Sequence, residues 1–299
     1  MKKTMIGLLA LVSLGLTGCG GGDEKADTSK SAEKETTAFT GEYIVDAEYV
    51  KKNLDDLILI DARGEEEANK GTIKGANVIG WQNLASVEEG ASGDEKWGLV
   101  LEPAELGKRL GEKGIAKDKE VVLFAGAQKG WGDDGRIAWE LLAAGYQDVK
   151  MVDGGFTALK KSGLKTAYES TELDPVDVTI DSIDQKHMIR TDELKKDYAD
   201  YKVVDVREDK EYKGEILYGE AKGGHLPDAI HLRFTELFQK NGKLKSKEEL
   251  TKLFEDAGLA KKDQIVTYCT AGIRSAYMEL VMEMCGFKQV TVSYTHLTL

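Results

Sequence analysis

Cys269 stands between an apolar run, Ile265-Val266-Thr267-Tyr268, and a helical pattern that opens near Arg274. A thiol where a strand ends and a helix begins faces the positive end of the helix dipole and its unpaired amides. That setting lowers a thiol's pKa, and the thiolate is the nucleophilic form. Thr270, Ala271 and Gly272 are small, and Gly272 accepts positive φ, so the loop can turn its N–H groups towards one point. The amides from Thr270 through Ile273 to Ser275 then suit a negative charge carried next to the sulfur, as an oxyanion hole suits its anion. Arg274 ends the loop with a fixed positive charge suited to an anionic reactant.

The other two cysteines in the 299 residues read differently. Three cysteines in a chain of this length make no disulfide framework. Cys285, in Met282-Glu283-Met284-Cys285-Gly286, looks like core packing before a glycine helix end. Cys19 follows Lys2-Lys3, an apolar run from Met5 to Leu16, and Thr17-Gly18, which are the parts of a secretory signal. A twelve-residue helix rises only about 18 Å, short of the hydrocarbon core of about 30 Å, so no permanent span is expected there. Residues 19–40, rich in Gly, Ser, Thr, Lys and Glu, read as a flexible tether.

Composition sets the outer limits. Hydrophobic residues make up 41% of the chain, enough for ordinary cores. Forty-one basic against 53 acidic side chains give a net charge of −12, with no basic footprint for nucleic acid. No Cys/His cluster has metal-ligand spacing and no Gly-rich phosphate loop follows a strand, so neither metal nor cofactor is expected.

Around Cys269 and along the rest of the chain, short apolar runs alternate with amphipathic stretches. Strands are expected at 57–60, 121–124, 149–152, 203–206, 265–268 and 290–292, and helices at 105–110, 137–144, 193–198, 249–254 and 275–284. Such alternation implies parallel sheets with helices on both faces, an α/β fold. The pattern occurs twice. Ile60-Asp61-Ala62-Arg63 is echoed by Val204-Asp205-Val206-Arg207, and Gly71-Thr72-Ile73-Lys74-Gly75-Ala76 by Gly224-His225-Leu226-Pro227-Asp228-Ala229. Gly145-Tyr146-Gln147-Asp148-Val149 returns as Gly286-Phe287-Lys288-Gln289-Val290. The expected organisation is a signal at 1–18, a tether at 19–40, a first domain at 41–165, a linker at 166–182 and a second domain at 183–299.

In order and duplication, the Asp-x-Arg pairs, Gly-His-Leu-Pro-Asp-Ala and Tyr268-Cys269-x-x-Gly272-x-Arg274-Ser275 resemble the tandem-domain rhodanese-type sulfurtransferases. The resemblance implies two rhodanese-like domains and transfer of a sulfane sulfur from thiosulfate or 3-mercaptopyruvate onto Cys269. A persulfide then passes its sulfur to cyanide or a thiol, so the partners are a small anionic sulfur donor and a thiophilic acceptor. Separately from the resemblance, the chain is expected to be a monomer. It also implies an inactive first domain: Ala125 stands where Cys269 stands in the second. The Leu16-Thr17-Gly18-Cys19 ending resembles the lipobox of bacterial lipoproteins, implying lipid on Cys19 and an extracytoplasmic, membrane-anchored chain. Asp205, Arg207 and His225 are expected to support the fold around the site. Asp133, Asp134 and Arg136 are read as a solvated helix start, Lys222 and Arg233 as solvated surface, and Trp81, Trp97, Trp131 and Trp139 as core or interface.

Two departures bear on function. Glu211, in Glu211-Tyr212-Lys213-Gly214, takes the place where some thiosulfate-using members carry an arginine, so Arg274 is expected to take over the anion. The chain also lacks the Asp-Gly turn and last helix that would follow Val292, and the final seven residues, with His296, read as foreign to the fold. Two alternatives stay open: a persulfide-binding or sulfide-sensing lipoprotein without turnover, and a cysteine phosphatase or arsenate reductase. The latter families hold their oxyanion in a Cys-x5-Arg loop, whereas four residues separate Cys269 from Arg274.

Overall fold

The computed structural model describes residues 37–293 except Glu89 and Glu95. The signal, Cys19, most of the tether and residues 294–299 with His296 lie outside the described residues.

Ten strands form two five-stranded parallel sheets. In chain order they are β1 (Ile44–Val45), β2 (Ile58–Asp61), β3 (Asn77–Val78), β4 (Val121–Phe124) and β5 (Val149–Val152), then β6 (Met188–Ile189), β7 (Lys202–Asp205), β8 (Ile230–His231), β9 (Ile265–Tyr268) and β10 (Val290–Ser293). The first sheet runs β1-β5-β4-β2-β3 and the second β6-β10-β9-β7-β8, the same order. Register repeats too: Ile58 pairs with Val121 as Lys202 pairs with Ile265. Alternate residues of the central strands face two apolar layers, so the strands read as unbroken apolar runs. Leu59 and Val122 face outwards with Val50 and Leu159, and Val203 and Val266 face outwards with Leu226 in the second copy. Ile60, Leu123, Val204 and Ile265 face a single inner cluster shared by both copies.

Helices cover both layers: α1 (Ala47–Asn53), α2 (Pro103–Glu112), α3 (Asp133–Ala143), α4 (Gly155–Lys161), α5 (Thr191–Lys196), α6 (Lys247–Asp256) and α7 (Ile273–Met284). Of these, α2, α3, α6 and α7 join the inner cluster, and α1, α4 and α5 pack on the outer faces. The expected cores are right, and the ends shift by up to four residues: Asp133 rather than Ile137 opens α3, and α5 stops at Lys196 rather than at 198. α3 and α7 each follow the central strand of their sheet and pack on each other between the copies. Gly135 permits the close crossing, because a Cβ there would lie 2.5 Å from the Tyr277 Cβ. The linker is strapped to domain one: Thr171 N–H donates to Ala76 O and Val176 N–H to Gly111 O, at 2.8 and 3.0 Å. Ser293, expected to begin foreign sequence, pairs with Tyr268 and Ile189 at the end of β10.

Candidate active site

β9 ends at Tyr268 and α7 begins at Ile273, which leaves four residues for the turn. Gly272 closes it at φ 74°, a left-handed backbone that a side chain would strain. The turn brings the Cys269 thiol under the start of α7, 9% exposed. The Ser275 Oγ lies 3.5 Å from Sγ. Burial pushes the thiol's pKa up. The positive charge of Arg274, the Ser275 hydroxyl and the amides of Ser275 and Ala271 outweigh it and bring the pKa below that of a free thiol. The expected residues from Cys269 to Ser275 are thus drawn into one loop, with thiolate stabilisation resting on Arg274, Ser275 and Ala271.

Arg274 departs from expectation. Its guanidinium is buried and held by Glu211 in a two-point pair, Nη1–Oε2 at 2.6 Å and Nη2–Oε1 at 2.7 Å. Glu211 therefore balances the charge that was expected to grip the donor. Thr270 Oγ1 lies 3.1 Å from Glu211 Oε1 and 3.0 Å from Glu220 Oε1, so its hydroxyl faces these carboxylates rather than the thiol.

Asp205, Arg207 and His225 are scaffold. Arg207 donates to Asp205 and to Gly224 O at 2.6 Å, and Tyr268 donates its hydroxyl to Asp205 at 2.7 Å. The first copy repeats this with Arg63, Asp61 and Gly71 O. His225 stacks on the Tyr212 ring at 3.7 Å, with Nδ1 2.8 Å from Tyr212 O. Arg233 sits between Asp209 and Glu236. Cys285 is buried, its thiol pushed up to about 11 by burial, and both described cysteines are free thiols.

A cleft of about 720 Å³ opens onto Cys269, and domain one builds its far wall. Trp81, Trp97, Trp131, Lys129 and Asp133 line it, facing Tyr218 of domain two. Trp131, 41% exposed, meets Tyr218 edge-on at 4.9 Å and covers the Arg274 guanidinium at 5.0 Å. The Ser92 hydroxyl donates to Tyr218 O, so loops of the two copies meet beside the cleft. Lys129, Trp131 and Tyr218 carried no sequence signal for this role beyond the concentration of tryptophans in the first copy.

The start of α3 corrects the expectation of a solvated surface. Arg136 is 0% exposed; Nη1 donates to Ala271 O at 3.1 Å and Nη2 to Gly98 O at 3.2 Å. Domain one thereby holds the middle of the Cys269 loop. Burial raises the Asp133 carboxyl to about 6, and burial plus the Asp133 charge raises Asp134 to about 7. At the place matching Cys269, Ala125 is fully buried and its carbonyl accepts from Phe156 N–H at 3.0 Å.

Family comparison agrees with this duplicated frame. The model for the rhodanese-like domain matches residues 46–162 and 190–295. The chain belongs to the rhodanese-like family. A Mycolicibacterium smegmatis protein named provisionally as a thiosulfate sulfurtransferase is 28% identical over 228 residues, covering 74% of this chain and 79% of that one. The sulfur carrier protein TtuD of Thermus thermophilus is 25% identical over 269 residues, covering 83% and 90%. Among solved structures, the Escherichia coli 3-mercaptopyruvate sulfotransferase SseA aligns with a TM-score of 0.70 at 20% identity, covering 87% of this chain and all of that one. Wild-type EanB aligns at 0.72 and 21% identity, covering 85% of this chain, which spans 65% of EanB's length. These last two likenesses speak to fold.

Proposed function

We propose that this rhodanese-type sulfurtransferase takes a sulfane sulfur from thiosulfate onto Cys269 and hands it to cyanide or a thiol. The observation that carries the reading is the Cys269 thiol, kept acidic despite its burial by Arg274, Ser275 and loop amides. The thiolate attacks the outer sulfur of thiosulfate; a new S–S bond forms as the S–S bond to the sulfonate breaks, and sulfite leaves with that electron pair. The persulfide carries the negative charge on its terminal sulfur, where amides at the start of α7 stabilise it. Cyanide then attacks that sulfur, thiocyanate leaves, and the Cys269 thiolate returns. No net oxidation of the protein occurs.

With Arg274 balanced by Glu211, Lys129 on the opposite wall supplies a cation for the donor's sulfonate. The test is cyanide-coupled turnover with thiosulfate and with 3-mercaptopyruvate. Thiocyanate formation that disappears in Cys269→Ala is the expected result. Sulfur uptake seen as a mass gain of one sulfur, without thiocyanate release, would make the chain a persulfide binder instead. Hydrolysis of aryl phosphates lost in Cys269→Ser would favour the phosphatase chemistry.

The cellular setting is part of the proposal. Cys19 carries a lipid anchor that holds the enzyme outside the cytoplasm. Among the described residues no helix is long and apolar enough to cross a membrane. Mass spectrometry of detergent-extracted protein is expected to find acylated Cys19 at the N-terminus; an intact Met1 would overturn this.

A further inference from the structure

A second cavity, of about 220 Å³, lies on the seam between the copies, away from Cys269. Glu42, Tyr43 and Trp139 of domain one line it opposite Asp184, His187, Glu279 and Glu283 of domain two. One donor atom from each of His187, Glu279 and Glu283 lies within 4.8 Å of the others. His187 Nδ1 is 2.8 Å from Glu279 Oε1. Glu279 is 1% exposed, and its other oxygen, Oε2, is buried with no hydrogen-bond partner. A buried carboxylate oxygen without a partner is costly, and native structures nearly always satisfy such a group with water, an ion or a polar atom.

The surrounding charge favours a cation. Four carboxylates line the cavity, against His187 within it, Lys186 near His187 and Glu279, and Lys288, whose Nζ stands 3.8 Å from Glu283 Oε1. Glu283 also accepts from the Tyr43 hydroxyl at 3.3 Å.

We propose that His187, Glu279 and Glu283 form a binding site for one divalent transition cation of the Zn2+ type. An imidazole nitrogen with two carboxylate oxygens is a borderline-hard donor set that suits Zn2+, which holds such ligands at about 2.0–2.2 Å. Tetrahedral ligands at those bond lengths stand about 3.4 Å apart. His187 Nδ1 and Glu279 Oε1, now 2.8 Å apart, need to open slightly, and the wider separations, all within 4.8 Å, need to close, small shifts that the partly exposed Glu283 and His187 side chains can supply. The metal replaces the proton shared by Nδ1 and Oε1, and that proton is released to solvent. Glu279 and Glu283 lie on α7, the helix whose other end carries the Cys269 loop. The cation thereby ties α7 to the segment before β6, next to Tyr43 of domain one. The site takes no part in sulfur transfer.

The chelator-treated full chain carrying Cys269→Ser, which removes the competing reactive thiol, is titrated with Zn2+ by calorimetry and with Co2+ by visible absorption. The expected result is one ion per chain, d–d bands without a thiolate charge-transfer band, and a rise in Tm. His187→Ala and Glu283→Gln, each made in the Cys269→Ser chain, are expected to weaken binding at least tenfold. Unchanged far-ultraviolet circular dichroism and a cooperative thermal melt report that both variants fold. Absence of binding at millimolar Zn2+, or binding of equal strength in both folded variants, overturns the proposal. Each result is independent of whether thiosulfate is the sulfur donor.

Discussion

Taking Cys269 out of water disfavours its thiolate, and a hydroxyl, two amides and an arginine restore it. Hydrogen bonds to a charged group are worth about 1.5–3 kcal/mol, and one pKa unit is about 1.4 kcal/mol. Ser275→Ala should therefore move the pH midpoint of Cys269 alkylation upwards, while Cys269→Ala abolishes turnover. An unmoved midpoint, read from iodoacetamide rates across pH, would remove Ser275 from the site. Glu211 sets the second residue-scale expectation. Glu211→Gln leaves Arg274 without its counter-charge, so the KM for thiosulfate should fall several-fold at low ionic strength and return towards wild type as salt is added. The same change should lower stability, by up to about 3–5 kcal/mol, because it strands a buried charge. A KM indifferent to the substitution would show that Arg274 does not reach the donor.

At the scale of elements, the α3–α7 crossing does two jobs: it closes the core between the copies and delivers Arg136 to Ala271 O. Gly135→Ala places a methyl 2.5 Å from Tyr277 Cβ. Overpacking of this kind costs about 1–3 kcal/mol, and the Tm should fall accordingly. Arg136→Lys keeps the charge but not the fork that spans Ala271 and Gly98, so kcat should drop with little change in KM. A steady-state comparison of the two parameters checks this. The central strands were legible because both their faces are buried, which leaves continuous apolar runs such as Val121–Phe124 and Ile265–Tyr268. The Cys269 turn was legible because its glycine, small residues and arginine are contiguous in the chain. The cleft was not: Glu211 meets Arg274, and Trp131 meets Tyr218, only after the chain has wound two sheets and laid one copy on the other. Asp134 and Arg136 were misread for the same reason, since a polar helix start is normally wet and here the second copy covers it.

The whole molecule carries an unusual load of buried acids. Burial, the largest cause in each, raises Asp133 to about 6 and Asp134, Glu140 and Glu279 to about 7. A carboxyl whose folded pKa lies above its unfolded value binds its proton more tightly when folded, so it favours the fold at low pH and loses that contribution as pH rises through the folded value. His187, also raised, through its Glu279 hydrogen bond, acts in the same direction. Stability should therefore fall between pH 5 and pH 8; thermal melts that are flat or rising across that window would contradict it. Trp131 and Lys129 build the far wall of the cleft and Arg136 holds the Cys269 loop, all from a copy that has no thiol. Under the proposed sulfur transfer, changes in that copy alter which donor reaches Cys269 while leaving the thiol and its amides untouched.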